Sequence, residues 1–250
     1  MKKSSVLIIV SLTACLSLAA CSSKRSQRPD GKTIKNILQN VVTAADIQIT
    51  EETDVTDKLS EQLKLYKSFL QDKITSETKS DGPCFLSDYC NMAVPGKSGK
   101  EINYALYDMT GDGLPELHVL TDISFSIHTI EDNHLITWYS GDRYCRPLNN
   151  GAILEKIEST GTSYCYSFLD SKGEIVLNVG FAEPPKGAKK NIYAYYFGTG
   201  DGDTLHDIEV SKREYKKLTK PFLAMKSDKI IWKHITDLDF STDKNYPGIK

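Results

Sequence analysis

The chain is 250 residues long, 40% hydrophobic and 26% charged, with 31 basic against 33 acidic side chains and a net charge of −2. That length carries one domain or two small ones. A slightly acidic balance with no long basic stripe disfavours a nucleic-acid partner.

The first residues, MKK, precede an apolar run from Val6 to Ala20 that contains Ser11, Thr13 and Ser17. A positive start followed by an apolar stretch shorter than the roughly 20 residues a bilayer needs is the layout of a secretory leader. The residues Leu18-Ala19-Ala20-Cys21 resemble the bacterial lipobox. That resemblance implies a signal peptide over 1–20 and acylation of Cys21, which becomes the mature N-terminus. Ordinary cleavage nearby, with Cys21 incidental, is the alternative. Two or more acyl chains anchor stably where one is marginal. The stretch 21–32 continues as SSKRSQRPDGK, with no apolar residue to bury, and reads as a disordered tether. The expectation is a protein lipid-anchored to the cell membrane on its extracytoplasmic face.

From 33 to 81 two helices are expected. Ile34, Ile37, Leu38, Val41, Val42 and Ala45 recur at helical spacing, and so do Val55, Leu59, Leu63, Tyr66, Phe69, Leu70 and Ile74. Asp54 or Thr53 suits the cap of the second helix. The apolar stripe predicts packing onto the main domain; gripping a partner is the alternative.

Composition changes at Gly82-Pro83. From there the chain shows short β-branched and aromatic runs cut by turns. Strands are expected at Tyr104–Met109, Glu116–Thr121, Ser124–Ile130, Leu135–Ser140, Ala152–Glu158, Ser163–Leu169, Glu174–Phe181 and Asn191–Phe197. Their close spacing favours antiparallel meanders. Ser211 with Glu214 forms a capping-box pattern for a short helix that Pro221 would end or kink, and Lys229–Lys233 reads as a last strand. The fold class is α+β: an N-terminal helical pair, an antiparallel meander sheet and a short C-terminal helix. The main domain spans 82–240, and 241–250 reads as a tail.

Four cysteines follow Cys21: Cys84, Cys90, Cys145 and Cys165. An even number outside the cytoplasm makes disulfides plausible. Cys84 with Cys90 and Cys145 with Cys165 is the expected pairing of the three possible ones, and buried free thiols are the alternative.

The stretch YDMTGDGLPELHVL, Tyr107 to Leu120, carries the most chemistry. Placed on the calcium-loop pattern, Asp108, Thr110, Asp112, the Leu114 carbonyl and Glu116 supply oxygens, and Gly113 supplies the sharp turn. The pattern fails at its twelfth position, where Val119 replaces the bidentate glutamate, and the flanks alternate like strands. DMTGDGLPEL is instead similar to the calcium hairpins of FG-GAP and VCBS-type repeats, which implies a weak structural calcium site between two strands. The competing reading is a plain turn in which Asp108 and Asp112 accept backbone N–H bonds. More widely, YALYDMTGDGLPEL, WYSG, PLNNGAIL, YYFG and VSKREYKKL in that order resemble uncharacterised surface lipoproteins of anaerobic Gram-positive bacteria, a family that brings no activity with it.

Other patterns fall short. GTGDGDTLHD reads as a glycine-rich loop, and PGKSGK lacks the leading glycine of a phosphate loop. His128 and His134 flank a turn without an accompanying motif, and no Gly-x-Ser-x-Gly elbow appears. Tyr164, Tyr166 and Phe168 share one strand face, as do Tyr193, Tyr195 and Phe197. These rings either form the sheet's core or, with Trp138, present a surface for a protein or glycan ligand. The expected function is a non-catalytic binding or scaffolding module. The alternatives are an extracellular hydrolase with scattered catalytic residues and an envelope partner docking through the N-terminal helices.

Overall fold

Helix α1, Val55–Leu70, contains neither Gly nor Pro. It buries Leu59, Leu63, Tyr66, Phe69 and Leu70, a single stripe at three- and four-residue steps. It stops short of the expected Ile74 because Asp72 turns into the left-handed region at φ 57. There Asp72 N donates to the Phe69 carbonyl at 2.8 Å and Lys73 N to the Ser68 carbonyl at 2.9 Å, a Schellman closure with aspartate where glycine is usual. The computed structural model describes residues 55–78, 82–90, 101–158, 161–189, 192–198, 206–238, 240 and 246–248. All fall in the compact unit Gln39–Lys250. The leader, Cys21, the tether, the first expected helix, PGKSGK and the middle of GTGDGDTLHD lie outside them.

The described chain is mostly β, in two sheets with three helices. After α1 come β1 (Ser76–Thr78), β2 (Gly82–Cys84) and the short α2 (Leu86–Cys90). Then follow β3 (Asn103–Tyr107), β4 (Glu116–Leu120), β5 (Ser124–Glu131) and β6 (His134–Asp142). The first sheet adds β13 (Lys233–His234) and runs β13-β3-β4-β5-β6-β1-β2. The β5–β6 hairpin closes through Asp132 and Asn133 at φ 49 and 63, two left-handed residues that match the right-handed twist of the strands. One pairing departs from the expected antiparallel meander, since β1 runs parallel to β6. The long excursion through β2 to β5 supplies the crossover that parallel neighbours need.

The second sheet is a consecutive antiparallel meander: β7 (Cys145–Pro147), β8 (Ala152–Glu158), β9 (Thr162–Leu169), β10 (Ile175–Ala182), β11 (Tyr193–Gly198) and β12 (His206–Val210). Helix α3, Lys212–Leu223, starts on the foreseen box: Glu214 N donates to Ser211 Oγ at 3.2 Å and Ser211 N to Glu214 Oε2 at 3.0 Å. Pro221 sits inside its last turn, and the helix runs two residues past it. The expected strand Lys229–Lys233 shrinks to Lys233–His234, because Ile230 turns into the core instead.

The layers are helix, sheet, sheet, helix. One face of the first sheet (Tyr104, Leu106, Leu117, Val119, Leu135) meets α1 and the Leu86 and Tyr89 side chains of α2. Its other face (Ala105, Tyr107, Phe125, Ile127) meets Cys145, Ile153 and Ile230. Each fully buried aliphatic or Phe side chain contributes about 1.5–3 kcal/mol. On the outer face of the second sheet α3 seats Phe222 against Tyr166 and Phe181, with ring centroids 5.2 and 5.1 Å apart. Tyr166, Phe168 and Tyr195 are buried and Tyr164, Tyr193 and Phe197 half-buried, so the middle of this face is core. Phe240, the last residue of the expected main domain, stacks on Tyr104. Part of the expected 241–250 tail is built in as well: the Pro247 carbonyl accepts from Asp108 N at 3.0 Å.

Two histidines are sealed between these layers. His128 Nδ1 lies 3.0 Å from Ser76 Oγ and its Nε2 lies 2.8 Å from Ser126 Oγ, with Thr137 and Tyr89 extending the network. Burial lowers its pKa to about 3, helped by neighbouring His118. The unfolded chain therefore binds this proton more readily than the native one. Stability is complete above the ordinary value near 6.5 and declines as pH falls from there toward 3. His128 ring resonances in an NMR titration are expected to stay those of neutral imidazole at pH 5; a midpoint near 6.5 would contradict the buried network.

Candidate functional site

The loop joining β3 to β4 is closed by its own acids. Asp108 Oδ1 accepts from Gly111 N at 2.6 Å and Oδ2 from Gly113 N at 2.9 Å. Asp112 Oδ1 accepts from Leu114 N at 2.9 Å, and Glu116 Oε2 from Met109 N at 2.7 Å. Thr110 Oγ1 lies 3.4 Å from both Asp108 Oδ1 and Glu116 Oε1, so one hydroxyl links the two carboxylates. Gly111 and Gly113 take φ 81 and 87, a region that costs residues with a Cβ. Behind the loop, Gly248 bridges to Asp108 so closely that an added Cβ would fall 2.7 Å from the Asp108 Cβ.

The electrostatics are one-sided. Burial raises the Asp108 carboxyl, opposed by the Gly111 and Gly113 N–H groups, with Asp112 pushing it further up. Glu116 is only 2% exposed, and its carboxyl stands well above the usual carboxylate range. Burial is the main cause, opposed by Met109 N–H and reinforced by Asp112 and Asp108. Among the described residues the ion pairs are His134 with Glu77 and Lys156 with Glu158, so no described cation pairs with this cluster. The folded state holds these protons more tightly than the unfolded chain. The contribution is therefore most favourable below the ordinary values and is lost as pH rises through the raised ones.

The expected ligand set is thus brought together in part. Asp108, Thr110 and Glu116 share one hydrogen-bonded cluster, whereas Asp112 stands on the exposed side of the loop. The donors are hard oxygens, the chemistry calcium takes. As they stand, no three His, Cys, Asp or Glu side chains among the described residues are grouped closely enough to hold one ion. The backbone bonds to Asp108 and Asp112 are those of the plain-turn reading.

Beside the loop lies an open cleft of about 500 Å³. Asp112, Leu114 and Glu116 form one wall, Glu131 and Trp138 another, and the β9–β10 turn a third through Ser171, Lys172 and Glu174. That turn is organised by Asp170 Oδ1, which accepts from Lys172 N at 2.8 Å and Glu174 N at 2.9 Å. The sequence marks Asp170 to Gly173 as a turn but carries no sign that it faces the acidic hairpin.

The remaining candidates separate. The four cysteines are thiols. Cys145 and Cys165 both pair with Glu155, one from each side. Their Cα atoms are therefore two strand spacings apart, about 9–10 Å, beyond the reach of a disulfide. Cys84 on β2 and Cys90 at the end of α2 are each half-buried, and burial with Asp122 and Asp72 pushes the Cys90 thiol up to about 11, away from reactive thiolate. His134 is exposed beside Glu77 while His128 is buried, so the two share no site. The contact of Ser76 with His128 has nucleophile–base spacing, yet both residues are 0% exposed.

No family model, curated protein or solved structure matches this chain. Asp108→Ala removes the acceptor of two loop N–H groups and is expected to lower the unfolding free energy by about 1–3 kcal/mol in denaturant titration. Asp108→Asn, which keeps an oxygen acceptor, is expected to lose less.

Proposed function

We propose that this protein is a membrane-anchored extracytoplasmic lipoprotein, held by acyl chains on Cys21, whose folded domain is a non-catalytic binding or scaffolding module with a calcium ion clipping the Asp108–Glu116 hairpin. What carries the calcium part is the buried Glu116 carboxylate beside Asp108 and Asp112 without a described cationic partner. A divalent ion would remove that repulsion. Asp112, exposed at the loop, would leave the Leu114 N–H and turn inward to complete the set with Asp108, Thr110, Glu116 and the Leu114 carbonyl. The anchor rests on the lysines, apolar run and Leu-Ala-Ala-Cys order of the N-terminus. The hydrolase alternative gains no support from the sealed Ser76–His128 contact, since no substrate reaches it. The docking alternative gains none from α1 either, since its apolar stripe packs on the sheet.

Thermal unfolding with calcium against a chelator tests the ion. At about 10 mM calcium and the weak affinity of extracellular modules, the native state is expected to gain about 1–3 kcal/mol. The gain is expected to be larger at pH 8 than at pH 5, because ionised carboxylates bind the ion and raised ones ionise late. An unchanged midpoint at both pH values removes the calcium. The anchor is tested by cell fractionation: Cys21→Ala is expected to move the protein from the membrane to the soluble fraction, and a variant that still sediments with membranes removes the lipid.

A further inference from the structure

The cleft beside the acidic loop holds a tryptophan that is fixed in place. The β5–β6 register pairs Ile127 with Tyr139 and His128 with Thr137, which leaves Trp138 as the extra residue of a bulge. Bulges re-aim a side chain out of the sheet's alternation, and this one sends the indole to the cleft wall. Trp138 Nε1 donates to Glu131 Oε1 at 2.7 Å. The backbone of Gly173, at φ 73, lies against the ring: a Cβ there would fall 2.2 Å from the indole Cγ. Glycine at this position lets the β9–β10 turn clamp the ring before any ligand arrives, and such preorganisation lowers the cost of binding.

The lining selects among ligands. The cleft volume of about 500 Å³ falls within the roughly 300–1,000 Å³ of small-molecule sites. Trp138, Ile130 and Leu114 offer apolar surface, while Ser171, Thr129 and Lys172 offer hydrogen-bond donors beside the Glu131 and Glu174 acceptors. A ligand that matches both must combine apolar faces with a rim of groups that donate and accept. The excess of carboxylates opposes an anion, and Lys172 on the same wall opposes an ammonium ion.

We infer that this cleft is a saccharide-binding site in which a neutral sugar ring stacks its C–H face on Trp138 and its hydroxyls donate to Glu131 and Glu174. The inference rests on the binding-module reading and names that module's ligand class.

Isothermal titration of the purified full chain with cellotetraose, chitotetraose and maltotetraose tests it, with tryptophan emission followed in parallel. Saturable binding of at least one sugar with a shift in emission is expected. Trp138→Ala is expected to weaken that binding about tenfold or more. Trp138→Phe, which keeps a ring and guards against loss of fold, is expected to retain part of it, and Glu131→Gln to weaken it. Failure of all three sugars to bind up to about 10 mM overturns the site. So does sugar binding that Trp138→Ala leaves unchanged, or binding of spermidine in place of every sugar. A chain that calcium stabilises but no sugar binds overturns this inference and leaves the calcium reading intact.

Discussion

The structure depends on a sheet that is apolar on both faces. Strands β3, β4 and β5 are buried along nearly their whole length, so covering one side leaves the other unsatisfied. Helix α1 takes one face with Leu59, Leu63, Tyr66 and Phe69, and the second sheet takes the other through Cys145 and Ile153. That second sheet then has its own aromatic outer face, which α3 covers with Tyr215 and Phe222. Four layers follow from one requirement, that apolar surface be removed from water on every side.

A sheet buried this thoroughly forces its polar side chains to find partners inside. His128 does so with Ser76, Ser126 and Thr137, a network that joins β1, β5 and β6. Tyr66 does so from α1, donating to the Pro115 carbonyl at 3.1 Å and the His128 carbonyl at 3.2 Å, so the helix is keyed to both hairpins of the first sheet. His118 finds less: between Tyr107 and Phe125, neither ring nitrogen makes a well-aligned hydrogen bond among the described residues, and the Tyr107 backbone is the polar group beside it. Burial lowers its pKa to about 4, only partly opposed by the Tyr107 backbone. A neutral imidazole there costs less than a charged one.

The acidic loop and the cleft beside it join the two sheets' surfaces. Gln62 of α1 donates to Tyr66 and to the Pro115 carbonyl and also lines the cleft floor, so the packing helix and the open site share a side chain. The loop's backbone bonds to Asp108 hold the wall, the Asp170 turn holds the opposite wall, and the Trp138 bulge sits between them. The site is assembled from four parts of the chain, each stabilised locally.

Local signals were legible in the sequence because their causes are local. The 3.6-residue stripe placed α1, the Ser211–Glu214 pair placed α3, and alternation with turn residues placed β3 to β6 and β8 to β11 close to their observed bounds. Asp108 and Gly113 announced a tight acidic turn because that conformation needs those residue types. Strands β1, β2 and β7, three residues each, were too short to show a period, and β12, with apolar residues only at Ile208 and Val210, gave a weak one. Only the tertiary structure decided that β1 runs parallel to β6, that Glu155 stands between Cys145 and Cys165, that α3 covers the aromatic strand faces, and that Gly173 lies against the Trp138 ring beside the cleft. Each of those depends on which distant segments become neighbours, and that is fixed by the joint burial of several faces at once rather than by the preference of any one stretch.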